Sequence, residues 1–307
     1  MDCGTHHFWC LGRCSVMDGT MDLTAKTELE LRAMEREIAK QHLDKFPYLS
    51  LAWGLGNLAC WIAVWVLCLN GMMPLWLGFI IATVNVAASY LPSHEAQHSI
   101  FAMPGKPKRW LNELVGWLSP IPLVMPFSVL RATHMEHHKH ANNPELDPDY
   151  SEHYDTIGGF FWSSVQWRQP KPRSGEHPYV RCLKRIGRED LILHSVAYQL
   201  VYMGVLCGMA LNGLAIEAAL LWWLPRTVAV FYVQFYLSYA PHYPDCGTDR
   251  YNDTQSFKSR FGNIWSSGMQ YHVIHHLYPR IPLVRTPEAY RQMKPILKAQ
   301  GARVDAI

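Results

Sequence analysis

The sequence predicts an all-α integral membrane protein: four transmembrane helices in two hairpins, with a cytoplasmic helical cap that carries a histidine-rich two-metal site. Three observations predict it. Residues 51–91 contain no Lys, Arg, Asp or Glu, and residues 191–240 contain only Glu217 and Arg226. A spanning helix needs roughly 20 apolar residues, so each block is long enough for two crossings. Every Lys and Arg except Arg226 falls outside both blocks, and by the positive-inside rule the flanking regions then share the cytoplasmic side. Three histidine clusters, His94-Glu-Ala-Gln-His98, His134-Met-Glu-His137-His138 and His272-Val-Ile-His275-His276, lie in those same regions.

Taken in order, residues 1–22 hold Cys3, His6, His7, Cys10 and Cys14. Their spacings match no zinc pattern, and there is no apolar run for a signal peptide. A disordered or non-native extension is expected, with Met17 or Met21 as the true start. Across 23–50, apolar Leu29, Leu31, Met34 and Ile38 alternate with dense charge. This reads as a cytoplasmic amphipathic helix, either lying on the membrane face or packed on the catalytic region. Residues 51–307 form the main domain. Its spans are expected at about 51–69, 75–91, 191–211 and 214–240, turned by Asn70-Gly-Met-Met-Pro74 and Asn212-Gly213. Trp53, Trp61, Trp76, Tyr90, Trp222, Trp223, Tyr236 and Tyr239 gather near the block ends, as interfacial anchors do; a few would equally line a lipid-facing substrate path.

Between the blocks, an apolar run at 114–130 is broken by Pro120, Pro122 and Pro126, which forbids a regular spanning helix. A half-inserted segment that returns to Arg131 is expected instead. The polar turn 140–149 comes next, rich in Asx and proline signals. Its acids would either orient histidines through their second ring nitrogens or simply be solvated. Arg226, beside Pro225 in the fourth span, carries a charge that costs at least ~2.5–3.5 kcal/mol near the bilayer centre. It is expected to face the interior or a polar cavity, or to snorkel to an interface.

Residues three and four apart on a helix are neighbours, so each histidine cluster presents its imidazoles on one face. Eight imidazoles exceed the three or four protein ligands of a zinc site, which points to two metal ions. Imidazole suits iron, zinc, copper and nickel alike, so spacing leaves the metal open. His6, His7, His42, His153, His177 and His194 have no partner at ligand spacing and are discounted. The eight cysteines sit singly, with no C-x-x-C, so neither a disulfide framework nor a thiol redox centre is indicated. The net charge of +3 carries no nucleic-acid signal; topology and anionic lipid headgroups explain the basic residues.

The three histidine boxes in this order, the second followed by Lys139-His140-Ala-Asn-Asn-Pro-Glu-Leu-Asp-Pro-Asp149 and the third set in Gln270-Tyr-His-Val-Ile-His-His-Leu-Tyr-Pro279, resemble the membrane fatty acid desaturase superfamily from about residue 51 to the C-terminus. The resemblance implies a di-iron centre of two iron ions (Fe2+/Fe3+), O2 as co-substrate, a lipid substrate and a separate electron donor such as ferredoxin or cytochrome b5. It implies the metal ligands His94, His98, His134, His137, His138, His272, His275 and His276. His242, in Tyr239-Ala-Pro-His242, resembles the additional ligand that acyl desaturases carry between their second and third boxes. Relatives often place an Asn one turn before it. This chain has Ser238 there, so the resemblance does not carry a water-mediated contact over to it. His140 matches a position close to the metals but outside the ligand set. No cytochrome b5 H-P-G-G and no cysteine set for an iron–sulfur cluster occurs, so reduction is expected from a partner protein.

The expected activity is O2-dependent desaturation of a fatty-acyl chain, with both termini cytoplasmic and the inner membrane as the site if the source is bacterial. A second expectation is hydroxylation or ketolation of a carotenoid or other lipid, because the third box and the turn after the second also resemble bacterial carotenoid hydroxylases. A non-enzymatic metal-binding membrane protein is the third. It fits least, since a translocation path needs polar groups within the spans and the histidines lie outside them.

Overall fold

Proline and Asn-Gly punctuation divides the chain into helices whose lengths fit a bilayer. The computed structural model describes residues 23, 25–43, 45–150, 154–167, 176–243, 246–257 and 262–305. Among these there is no strand, only an isolated bridge between Gln255 and Arg303. The expected extension 1–22 lies outside the described residues, as does His153.

Helix α1 (Glu28–His42) starts with a capping box in which Thr27 and Glu30 satisfy each other's backbone N–H groups. It buries Leu31, Glu35, Ala39 and His42 and packs against the C-terminal helix α15 (Thr286–Ala299). Its anchor is a buried carboxylate: Glu35 accepts from Tyr278 Oη at 2.7 Å, Tyr251 Oη at 2.9 Å and Arg250 at 3.2 Å.

Four helical stretches are long and apolar enough to cross a membrane: Tyr48–Leu69, Leu75–Gln97, Asp190–Leu211 and Ala215–His242. The first is α2 (Tyr48–Leu69), capped by Pro47 and beginning at Tyr48, three residues earlier than expected. The second joins α3 (Leu75–Ala88) to α4 (Tyr90–Gln97). The sequence put its end at 91, yet the helix continues, because Pro92 falls in the first turn of α4, where an N–H has no intrahelical partner to lose. Both short turns use one device. Asn70 and Asn212 each donate from the side chain to the carbonyl four residues back, at 2.7 Å, and Gly71 and Gly213 take the positive φ (69° and 80°) that other residues resist.

The central stretch bends. Helices α5 (Arg109–Leu118) and α6 (Phe127–His140) meet at 98° across the Pro120–Pro126 segment, as its three prolines require. At the tip Val124 is left-handed, with φ 58° and ψ 45°, a strained conformation for a β-branched residue. Two donors from the last span hold it: Trp222 Nε1 gives to the Pro122 carbonyl at 2.8 Å and Arg226 Nε to the Leu123 carbonyl at 2.9 Å. Arg226 therefore faces the interior, its guanidinium 5.2 Å from the Tyr202 ring centroid. Trp61 and Trp222 are likewise no interfacial belt; with Trp65 and Tyr202 they form an edge-to-face cluster inside the bundle.

After α7 (Ile157–Trp167), α8 (Pro178–Arg185) and α9 (Asp190–Leu211), the last span comprises α10 (Ala215–Ala218), α11 (Leu224–Val233) and α12 (Ala240–His242), joined by π-helical turns at Ala219–Trp223 and Gln234–Tyr239. Each wide turn ends two residues before a proline, Pro225 or Pro241, and gives the ring room against the preceding carbonyls. Helix α11 packs on α3, which packs on α2, around Val64, Ala82, Val86, Leu221 and Ala229. Helices α13 (Gly262–Trp265) and α14 (His272–Leu277) complete the C-terminal part, where α14 packs on α15.

Candidate metal centre

Four helices deliver nine imidazoles to one place. Helix α4 carries His94 and ends at His98, α6 carries His134, His137 and His138, α12 ends in His242, and α14 carries His272, His275 and His276. The nitrogens form two groups. In one, ligand atoms of His94, His98, His134 and His275 all lie within 4.8 Å of one another. His138 Nε2 joins this group at 3.1 Å from His134 Nε2 and 3.0 Å from His275 Nε2. In the other, His137, His242, His272 and His276 meet the same limit. The chain brings together every histidine the boxes and His242 supplied. The second π turn matters here: its extra residue rotates the rest of the helix by about 100°, and so sets the direction in which His242 points.

These donors fit a metal better than they fit each other. Both ring nitrogens of His94 and His272, and Nε2 of His276, are buried without a hydrogen-bond partner among the described residues, and each such atom costs about 1–3 kcal/mol when left so. Where nitrogens do approach, as at 2.8 Å between His98 and His134 Nε2, two neutral imidazoles have lone pairs facing one another unless one carries a proton. Burial holds His272, His275 and His276 well below the ordinary imidazole range, with the neighbouring histidines adding to it. They are neutral near pH 7 and available as donors to divalent iron, zinc, copper or nickel.

Several ring nitrogens on the far side are anchored. His137 Nδ1 lies 2.9 Å from Asp147 Oδ1, His276 Nδ1 3.1 Å from Asp253 Oδ2, and His242 Nδ1 3.0 Å from Asn142 Oδ1 and 2.9 Å from the Asp253 carbonyl. The Asn142 amide is oriented for this, because its Nδ2 donates to the Gly247 and Asp253 carbonyls. Burial alone would raise the Asp147 carboxyl; the facing His137 and the Asp149 amide outweigh that and hold it below the usual range. Burial pushes Asp253 up to about 6, so it is ionised above that pH.

Of the acids in the 140–149 turn, then, Asp147 meets a box histidine directly. Asp149 accepts from Tyr179 Oη at 2.8 Å and stands 3.9 Å from His137, and Glu145 is exposed. His140 stands outside the nine; its Nε2 faces Glu136 at 3.7 Å. Asn142, just past the end of α6, meets Nδ1 of His242 directly. Asp253 was invisible in the sequence, since nothing in its spacing relates it to His276. Of the discounted histidines among the described residues, His42 pairs with Gln292, His194 with Ser128, and His177 caps α8 and lines the cavity described next.

A cavity of about 840 Å3 opens from this cluster. His94, His134, His137 and His272 form one end, Val124, Met125, Val129, Leu130, Val230 and Val233 line its walls, and Ser195, Gln199 and Arg226 lie along it. The chain matches the fatty acid desaturase family over residues 70–307. It belongs to that family. Among curated relatives, an sn-1 oleoyl-lipid 12-desaturase of Anabaena variabilis is 34% identical over 100 residues, which is 33% of this chain and 25% of the relative. An sn-1 acyl-lipid omega-3 desaturase (ferredoxin) of Nostoc sp. is 24% identical over 245 residues, 68% of this chain and 64% of the relative. A fatty acid conjugase of Calendula officinalis is 24% identical over 246 residues with the same coverage, 68% and 64%. The desaturase-family chain thus spans less than two thirds of each of these relatives.

Proposed function

We propose that this chain is a membrane-bound, O2-dependent di-iron oxidoreductase that introduces a double bond into a fatty-acyl chain. The observation that carries the reading is the convergence of nine imidazoles, seven of them on buried residues, in two groups beside an apolar-walled cavity. His94, His98, His134, His138 and His275 would hold one iron and His137, His242, His272 and His276 the other, and the pair would supply activation of O2 and oxidation of an unactivated C–H bond. In balance, a –CH2–CH2– unit becomes –CH=CH– and O2 leaves as two waters, taking up the two hydrogens with two electrons from the donor and two protons.

The chain's own residues position and protect. Val124, Met125, Val129, Leu130 and Val233 confine an acyl chain and exclude water. Asp147, Asp253 and Asn142 fix the outward Nδ1–H of three imidazoles, so their Nε2 lone pairs point inward. Electrons come from a separate carrier of the ferredoxin or cytochrome b5 type; the Nostoc relative carries ferredoxin in its name. Exposed Lys139, Arg181, Lys184 and Arg185 beside the second box suit an acidic partner.

Two hairpins with one cytoplasmic face account for the short turns and the basic flanks. Both termini and the 92–190 stretch are then cytoplasmic, in the inner membrane if the source is bacterial. Reporter fusions at Asn70 and Asn212 should read as external, and a cytoplasmic signal at either overturns the topology.

The deciding experiment is expression in a heterologous host with lipid and pigment profiling against His137→Ala. New unsaturated acyl chains are expected, with about two irons per purified chain and O2 uptake only when a reductant is present. New oxygenated pigments in place of unsaturated chains would make it a carotenoid hydroxylase or ketolase. Stoichiometric zinc without reductant-linked oxidation, after reconstitution with iron, would end the oxidase reading.

A further inference from the structure

The two imidazole groups are supported unequally. Around His137, His242, His272 and His276, three of four rings are hooked through Nδ1, two of them to carboxylates: His137 to Asp147 and His276 to Asp253. The third, His242, is held by Asn142 Oδ1 and the Asp253 carbonyl. The hooks are themselves fixed. Asp147 accepts from the backbone N–H of Asn142 at 2.8 Å and of Asp149 at 2.9 Å, so one turn, 142–149, braces two of the rings.

Around His94, His98, His134 and His275 the picture is different. Among the described residues no carboxylate or amide side chain meets a ring nitrogen of this group, and both nitrogens of His94 are buried without a partner. Its nitrogens instead crowd one another at 2.8–3.1 Å through His98, His134, His138 and His275. Nothing there selects a tautomer before a metal arrives, and no negative charge in contact with the rings offsets the cation.

A hook to a carboxylate fixes the tautomer and rotamer of a ligand imidazole and raises its basicity, and losing such a partner typically costs about 10–100-fold in metal affinity. Building on the di-iron reading, we infer that the two metal positions are unequal: the position bounded by His137, His242, His272 and His276 retains its iron, while the position bounded by His94, His98, His134, His138 and His275 releases its iron first. The centre therefore passes through a defined one-iron state, with the iron on the Asp147 and Asp253 side. Asp147, Asp253 and Asn142 act as positioning residues through the rings they hold.

The test is iron release. The full-length protein, purified in detergent and loaded anaerobically with Fe(II), is challenged with a ferrous chelator, and retained iron is followed in time. Two phases of about equal amplitude are expected, separated by about 10-fold or more. His98→Ala should lose only the fast phase and keep the slow iron. Asp147→Asn and Asp253→Asn should each accelerate the slow phase about 10-fold or more. Asp147→Asn keeps a hydrogen-bond acceptor without the charge, so it should fall between wild type and Asp147→Ala. A monodisperse elution profile identifies variants that remain folded. A single release phase in the wild type, or a His98→Ala protein whose remaining iron leaves at the fast rate, overturns the inference and leaves the di-iron reading intact. No iron uptake at all overturns both.

Discussion

Two regions at the central cavity meet the same difficulty, polar groups in apolar surroundings, in opposite ways. At the bend by Val124 the protein completes its own hydrogen bonds: Trp222 and Arg226 donate to the Pro122 and Leu123 carbonyls, groups that the strained tip around Val124 leaves without helical partners. At the histidine end His94 and His272 are buried with both ring nitrogens unpartnered. A backbone in a membrane must have its polar groups satisfied from within, so the first arrangement is architecture. The second stays costly until something other than protein completes it. A buried polar group with a partner explains a fold, and one without a partner asks for a ligand.

The comparison breaks most sharply at His242, which belongs to no box. His242→Ala should lower bound iron and cut acyl oxidation by at least 100-fold, as His272→Ala does, with the protein still inserted and abundant. Near-normal iron and activity would move His242 to the architectural side. At the bend, Arg226→Leu leaves the Leu123 carbonyl unsatisfied, a loss of about 1–3 kcal/mol visible as a lower thermal midpoint in detergent. An Arg226→Leu protein as stable as wild type but inactive would make Arg226 part of the site rather than of the frame.

A smaller effect is expected where a satisfied network lies away from the cavity. Glu35→Gln keeps the shape of the clasp on Tyr251 and Tyr278 but removes the charge facing Arg250, which is itself 45% exposed. A loss of about 1 kcal/mol is expected, read as faster protease cleavage near α1 with iron content unchanged; altered iron content would tie α1 to the metal centre. Least of all, Trp222→Phe removes one donor from the Pro122 carbonyl while keeping an aromatic ring against Trp61. It should cost about 0.5 kcal/mol in the same thermal assay, the low end for one neutral hydrogen bond, and a wild-type midpoint would mean that the tip needs only Arg226.

Most of the site was legible because its rule is local. A period of 3.6 residues makes His134, His137 and His138 share a face wherever the helix goes, and the charge-free blocks with their Asn-Gly turns bounded the long helices to within a few residues. The misreadings share a cause as well. Helix α4 runs on past 91 because a proline in a first turn is harmless. Trp61 and Trp222 turned inward because two helices distant in sequence pack there.

The sequence by itself determined which side chains are imidazoles at ligand spacing, which segments are apolar enough to span, and where prolines forbid a straight helix, since all three follow from covalent geometry and composition over a few residues. Only the tertiary structure decided how nine imidazoles divide into two groups, that Asp253 and Asn142 brace one of them, and that Arg226 holds the bend at Val124. Those pairings join positions such as Asn142 and His242, 100 residues apart, and no local period relates them. They exist because helices packed face to face leave one arrangement in which the remaining polar groups find partners.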